Sequence, residues 1–371
     1  MKKGVSLYIH VPFCAKRCNY CDFIIFTNAN KELIDNYISK ICQEILYYKQ
    51  FNEKLNTIFW GGGTPSFLKI EHLEKVINTI QESFNCSNII EHTIEINPVN
   101  LNRKNLEKYR NLGINRLSIG IQSFNQDILN KINRNHSVEN IYKTFNSARK
   151  AGFNNISFDL IFGLPEQTIS IWEDTLNKAI SLSPEHISIY SLDLHENTIL
   201  YEKVQNNQVK LPNDEDYLEM FYLTQKLLSS NDYSNYEISN WAKKGFESKH
   251  NKVYWKNYEY IGIGVSATSF YKNRRYKNTN DLQEYLSKNN FEIKENRQTL
   301  KEELEETIFM NLRLLNEGLN IKQINRRFNI DFLEKYKKQI NELLNKNFII
   351  LSKNKLRINK KYIPISNEIF M

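Results

Sequence analysis

The chain has 371 residues, 41% hydrophobic, 25% charged and 12% aromatic, a composition that excludes a disordered or collagen-like polymer and is sized for two or three domains. No apolar stretch approaches the ~20 residues of a membrane-spanning helix, and the segment after Met1-Lys2-Lys3 reaches His10 before it could form a signal-peptide core; a cytoplasmic protein is expected. The formal net charge of +8 is spread along the chain, so it mostly solvates faces and marks no nucleic-acid stripe.

Up to about residue 195 a strand-then-helix pattern repeats. Strands are expected at 6–10, 56–60, 93–97, 116–122, 156–162 and 186–192. Helical spacing fills the gaps, as in Leu33, Tyr37, Ile41 and Ile45, or Leu73, Val76, Ile77 and Ile80. Six such units predict an α/β fold with a parallel sheet closed into a partial (β/α)6 barrel. Special residues recur at one end of successive strands: the cysteine loop follows the first and Gly61-Gly62-Gly63-Thr64-Pro65 the second, the third carries Glu95 and Asn97, the fourth ends at Gln122-Ser123, and the fifth carries Asp159 and leads to Gly163. In a β/α barrel that end is the active-site face, so these residues should converge. Residues 1–200 are thus read as the barrel and 201–300 as its extension, with a helix at 214–228, a strand at 233–239 and an aromatic-rich segment at 250–270. Residues 301–371 read as a small helical domain, with helices at 303–314, 321–328 and 332–344, then strands at 348–351 and 356–358. That order is winged-helix-like. No basic recognition face singles out nucleic acid as its partner over a docking role.

Three of the five cysteines, Cys14, Cys18 and Cys21, lie within eight residues, which is no secreted disulfide framework but a metal or redox cluster. Three thiolates in one loop can hold three irons of a [4Fe–4S] cube and leave the fourth open to a ligand, whereas clusters that only carry electrons use four cysteines. A zinc site with His10 as fourth ligand is the alternative. Cys42 and Cys86 fall inside expected helices. Only 12 glycines occur, so Gly61 to Gly63, Gly120, Gly163, Gly262 and Gly264 are expected to meet a need for backbone freedom or close approach.

The cysteine spacing, with Tyr20 before the last thiol, resembles the signature of the radical S-adenosylmethionine (SAM) superfamily, and Gly61 to Pro65 resembles its glycine motif. Stretches 8–14, 95–98, 118–124, 134–136 and 159–165 narrow the resemblance to the coproporphyrinogen dehydrogenase group. It implies that Tyr8, Tyr20, Gly62, Gly63, Thr64 and Glu95 contact cluster-bound SAM, and that Gln122, Arg134 and Asp159 line the same cavity, where the dehydrogenase holds a second SAM. Phe23 stands where the dehydrogenase has a fourth cysteine, and only 13 residues precede Cys14. Both departures, with stretch 236–242, point to the sister family of heme chaperones (HemW). His250-Asn251-Lys252-Val253-Tyr254 matches the element associated with heme in that family, while Thr268 replaces a frequent histidine. The implied cofactors are a [4Fe–4S] cluster, SAM and heme. On chemistry alone His250 could ligate heme iron through imidazole or Tyr254 as a phenolate, and Lys16-Arg17, Arg134 or His136 could pair with its propionates. The implied partners are heme and a heme-acceptor protein, with membrane contact only peripheral and through that acceptor. Oxygen-independent coproporphyrinogen III dehydrogenase is the enzymatic alternative, and a winged-helix regulator that senses through the cluster is a third.

Overall fold

The computed structural model describes residues 4–99, 101–291, 297–366 and 369; Met1–Lys3, considered above as the start of a leader, lie outside them. Six parallel strands, β1 (Val5–Val11), β2 (Leu55–Gly62), β3 (Glu91–Ile96), β4 (Arg116–Gln122), β5 (Ile156–Phe162) and β6 (His186–Ser191), lie side by side in chain order. The strand positions agree with the sequence pattern to within two residues. Between them run α1 (Lys31–Tyr48), α2 (Ile70–Ser83), α3 (Arg103–Asn111), α4 (Gln126–Lys131), α5 (Val138–Lys150) and α6 (Ile169–Leu182). Five of these start at a side-chain cap: Asn30, Asn102, Asn125, Ser137 and Thr168 each accept an otherwise orphan backbone N–H. Their apolar faces, such as Leu73, Val76, Ile77 and Ile80 on α2, are buried against the sheet. Cys42 lies in α1, but Cys86 falls beyond the end of α2, because that helix stops at Ser83 and the chain turns toward β3.

The next segment extends this sheet at both edges. It contains α7 (Ile199–Gln205), α8 (Asp214–Ser229), β7 (Ser234–Glu237), β8 (Asn240–Ala242), α9 (Lys249–Trp255), β9 (Tyr260–Ile263), β10 (Thr268–Tyr271), β11 (Arg274–Lys277) and α10 (Leu282–Ser287). Strand β8 pairs antiparallel with β6, and β9 pairs parallel with β1. The full order is β11-β10-β9-β1-β2-β3-β4-β5-β6-β8-β7. Helix α9 runs between the two edges and is fixed at its start by Glu91 of β3, whose carboxylate accepts the backbone N–H groups of Lys249 at 2.8 Å and His250 at 2.9 Å.

The C-terminal unit has its own core, built on Leu304, Leu319, Ile324, Phe332, Ile349 and Leu356. It comprises α11 (Leu300–Leu312), β12 (Leu319–Asn320), α12 (Ile321–Phe328), α13 (Phe332–Lys335), α14 (Lys337–Asn345), β13 (Ile349–Ser352) and β14 (Lys355–Ile358), with the strands ordered β12-β14-β13. This is the winged-helix-like arrangement anticipated, except that the helix expected over 332–344 breaks at Tyr336, whose φ of −110° and ψ of 22° end one turn and begin another. Arg275 ties the unit to the sheet through Glu306 at 2.8 Å. Among the described residues no helix is long and apolar enough to cross a membrane.

Two of the scarce glycines serve this framework. A side chain on Gly262 would run into the Thr268 carbonyl of β10, and one on Gly264 (φ 105°) would meet the Tyr37 hydroxyl and the His10 carbonyl. The close approach they permit is therefore between elements of the protein itself. Gly262→Ala is expected to cost about 1–3 kcal/mol through overpacking, read as a lower urea midpoint with an unchanged m-value; an unchanged midpoint would contradict the packing described here.

Candidate functional site

The period of two along β1 to β6 separates two environments. Leu7, Ile9, Ile58, Trp60, Ile94, Leu117, Ile119, Phe158 and Leu160 join the core shared with the helices. The alternate positions Phe59, Glu95, Ser118, Gln122, Asp159 and Ser188 face a cavity of about 720 Å³ inside the barrel. At its mouth lies the cysteine loop, and all three thiol-bearing residues line it, together with Tyr20, Gly62, Gly63, Thr64 and Arg134. Strand ends and loops thus bring together the three cysteines, Tyr20, Gly62, Gly63, Thr64, Glu95, Gln122, Arg134 and Asp159.

The loop is held from several sides. Gly63 and Thr64 donate their N–H groups to the carbonyls of Val11 (2.8 Å) and Phe13 (2.9 Å), seating the end of β2 against the loop's entry. A side chain on Gly63 would strike these two carbonyls and the Cys14 sulfur, and one on Gly62 (φ 107°) would strike the His10 ring. Thr64 Oγ1 lies 3.3 Å from Cys14 Sγ, and Arg134 donates to Cys18 Sγ at 3.5 Å. From the other side Asn133 donates to the Arg17 carbonyl and Asn19 to that of Lys131, both at 2.8 Å. Burial raises the Cys14 thiol and pushes Cys21 up to about 11. A metal that takes these sulfurs must displace their protons. His10 lies outside the cavity lining, with its Nδ1 3.0 Å from the Tyr8 hydroxyl and its Nε2 buried without a hydrogen-bond partner among the described residues.

The inner wall carries two carboxyls, Glu95 and Asp159, beside Arg116 and Arg134. Burial, and then the neighbouring Asp159 carboxylate, pushes the Glu95 carboxyl up to about 8. Asp159 is also raised by burial, opposed by the Ser118 hydroxyl, which donates to both its oxygens at 3.0 and 2.9 Å. Gln122 Oε1 and Arg134 Nε are buried without a partner, and Gln122 holds a left-handed backbone (φ 66°). Orphan polar atoms and strain of this kind cluster at ligand sites.

Several expected residues stand elsewhere. Tyr8 lies one layer behind the lining, against Phe59. His136 is 3% exposed and lies outside the lining, so it cannot meet a propionate without rearrangement. Arg17 spends its guanidinium on the carbonyls of Cys21, Phe23 and Ile25. His250 is fully buried, with Nδ1 2.7 Å from Thr57 Oγ1 and Nε2 2.8 Å from the Tyr254 hydroxyl. Both ring nitrogens are therefore engaged, and its ring stacks on Phe59 beneath the cavity floor. Only Ser248 and Asn251 of that segment reach the cavity, while Val253 and Asn257 line a second one of about 640 Å³ at the opposite end of the strands. Arg116, His186 and Tyr190 also line the main cavity and were missed; their signal was inward alternation in strands already recognised.

The radical SAM superfamily matches residues 8–179, and the HemN C-terminal domain matches residues 298–361. Heme chaperone HemW of Lactococcus lactis subsp. lactis (strain IL1403) is 34% identical over 100% of this chain and 97% of its own. Heme chaperone HemW of Bacillus subtilis (strain 168) is 34% identical over 98% of both. The chain belongs to the HemW family of radical SAM proteins. Its fold is that of coproporphyrinogen III oxidase (HemN) from Escherichia coli, a radical SAM enzyme, with a TM-score of 0.85 at 23% identity over 99% of this chain and 89% of that one. Within the HemW family frame, Phe23 follows the cysteine triad on the cavity rim, and Thr268 opens β10, away from the cavity lining.

The Glu95 carboxyl gives the site a pH signature. Its folded value of about 8 exceeds the ordinary 4.5, so between those limits the folded state keeps a proton that the unfolded chain releases, and stability falls as pH rises. Glu95→Gln should raise the urea midpoint of the metal-free protein at pH 9 and leave it unchanged near pH 4. Equal effects at both pH values would contradict the shift.

Proposed function

We propose that this protein is a heme chaperone that carries a [4Fe–4S] cluster with SAM beside it and passes heme to an acceptor protein. What carries the reading is the single cavity in which three thiols of one loop face a wall of Glu95, Gln122, Arg134 and Asp159, in a chain related over its full length to proteins named heme chaperones. The donor set fits the group: Cys14, Cys18 and Cys21 would hold three irons, leaving the fourth for the amine and carboxylate of SAM. Gly62 and Gly63 offer backbone with no side chain in the way. The orphan atoms of Gln122 and Arg134 would gain partners from a polar ligand, and the carboxyls of Glu95 and Asp159 are placed to hydrogen-bond its hydroxyls. When bound, the cluster would supply an electron to SAM, and the chain's own residues would hold, orient and shield the two.

Hemin titrated anaerobically into cluster-loaded protein should saturate at one heme per chain, with a Soret band that transfers to an added apo-hemoprotein. Under reducing conditions with SAM, coproporphyrinogen III should remain unconverted. Multiple turnover to protoporphyrinogen IX would favour the dehydrogenase alternative, and failure to bind heme saturably would remove the chaperone reading.

A further inference from the structure

We infer that Thr57 is a positioning residue for the imidazole at the start of α9. It takes the Nδ1 hydrogen of His250, leaves the lone pair on Nε2 for heme iron, and makes Tyr254 the cap on that lone pair rather than a second iron ligand. This rests on the heme-chaperone reading and goes beyond it by assigning which atom meets the iron and what sets that choice.

Residues two apart on a strand point the same way, and Thr57 and Phe59 of β2 form the bed on which His250 lies. The His250 ring stacks on Phe59 at 5.1 Å and 28°, and its Nδ1 is 2.7 Å from Thr57 Oγ1. The backbone that carries the ring is pinned as well: Glu91 accepts the His250 N–H at 2.9 Å, and Ser248 Oγ accepts that of Asn251 at 3.2 Å. His250 is 0% exposed, so protein groups alone decide where its hydrogen sits.

Thr57 makes that decision. Ser6 of β1 is its partner in the strand register, and the Thr57 hydroxyl donates to Ser6 Oγ at 2.8 Å. A hydroxyl carries one hydrogen. Having given it to Ser6, Thr57 accepts from Nδ1, which therefore carries the hydrogen of the ring. A wholly buried imidazole whose two partners are hydroxyls is neutral and has no second N–H. Nε2 is thus the lone-pair nitrogen, and it accepts from the Tyr254 hydroxyl at 2.8 Å. As that donor Tyr254 is a phenol, whereas on iron it would be a phenolate.

A histidine that binds metal through one nitrogen donates its other N–H to a fixed acceptor, which sets tautomer and ring plane together. Thr57 supplies that acceptor here. The row also has one fixed end and one removable end: Thr57 is 1% exposed, while Tyr254 is half-buried. Nε2 is uncovered by turning the Tyr254 side chain while the bond to Thr57 stays.

Two readouts on the full-length protein test the tautomer and the heme separately. In heme-free protein labelled with 15N-histidine, the His250 resonances, identified by their loss in His250→Gln, should show a protonated Nδ1 and an unprotonated Nε2. Thr57→Val keeps the shape without the hydroxyl and should move the hydrogen to Nε2; Thr57→Ser should return it to Nδ1, and Tyr254→Phe should leave it there. In anaerobic hemin titrations of cluster-loaded protein, Thr57→Val should bind about tenfold more weakly or worse, with an altered Soret band and unchanged iron–sulfur absorption. Thr57→Ser should recover wild-type binding, and Tyr254→Phe should keep the wild-type Soret band. A hydrogen on Nε2 in wild type, or wild-type hemin affinity in Thr57→Val, would overturn the assignment, as would loss of the wild-type Soret band in Tyr254→Phe. Wild-type protein with the hydrogen on Nδ1 that binds no hemin saturably would overturn the chaperone reading, and with it the role toward iron, which distinguishes that failure from a wrong tautomer.

Discussion

A strand that alternates apolar and polar residues can be buried on both faces only if its polar side finds partners, and six parallel strands here impose that demand around one interior. At the lower end much of the demand is met within the protein, although the Thr93 hydroxyl keeps no partner among the described residues. Glu91 accepts the first N–H groups of α9, and Thr57, His250 and Tyr254 form a continuous hydrogen-bonded row. At the upper end it is met only in part: Ser118 satisfies Asp159, while Gln122 and Arg134 keep unpartnered atoms. The same barrel therefore carries a hydrogen-bonded polar layer below and a cavity with unpartnered polar atoms above. Helix α9 marks the division, with Asn251 facing one cavity and Val253 the other.

The position of the thiols follows from that division. A cysteine loop fifteen residues long would wander if joined only at its ends; here the Cys14 N–H meets the Phe26 carbonyl and the Phe26 N–H meets the Pro12 carbonyl, which closes the loop on itself. The glycine turn then seats it on β2, where any side chain at Gly63 would collide with it. Burial that keeps Cys14 and Cys21 protonated without metal also makes the loop's chemistry depend on a cation to replace those protons.

Much of this was legible in the sequence because the carriers of the site are strand ends. Apolar alternation located six strands, and Cys14, Cys18, Cys21, Gly62, Gly63, Thr64 and Glu95, at or near the ends of three of them, line one cavity as barrel geometry requires. Arg134 was reached through resemblance. What escaped depended on distant partners. His250 at helical spacing from Tyr254 reads as an open pair, yet its second nitrogen is taken by Thr57 on β2, which no local pattern reveals. Arg116, His186 and Tyr190 lay within recognised strands but on a face whose polarity was not read as lining. The break at Tyr336 and the position of Cys86 beyond α2 reflect chain turns that side-chain periodicity does not encode.

The central claim is that three thiols of one loop hold a cluster with a site open to SAM. Electron paramagnetic resonance of the dithionite-reduced, anaerobically reconstituted protein, alongside metal analysis, tests it most directly. The account predicts about four irons per chain and a cluster signal that changes when SAM is added. That signal should be absent in Cys14→Ala, Cys18→Ala and Cys21→Ala. Stoichiometric zinc without iron in anaerobically purified protein, or a cluster signal indifferent to SAM, would contradict it.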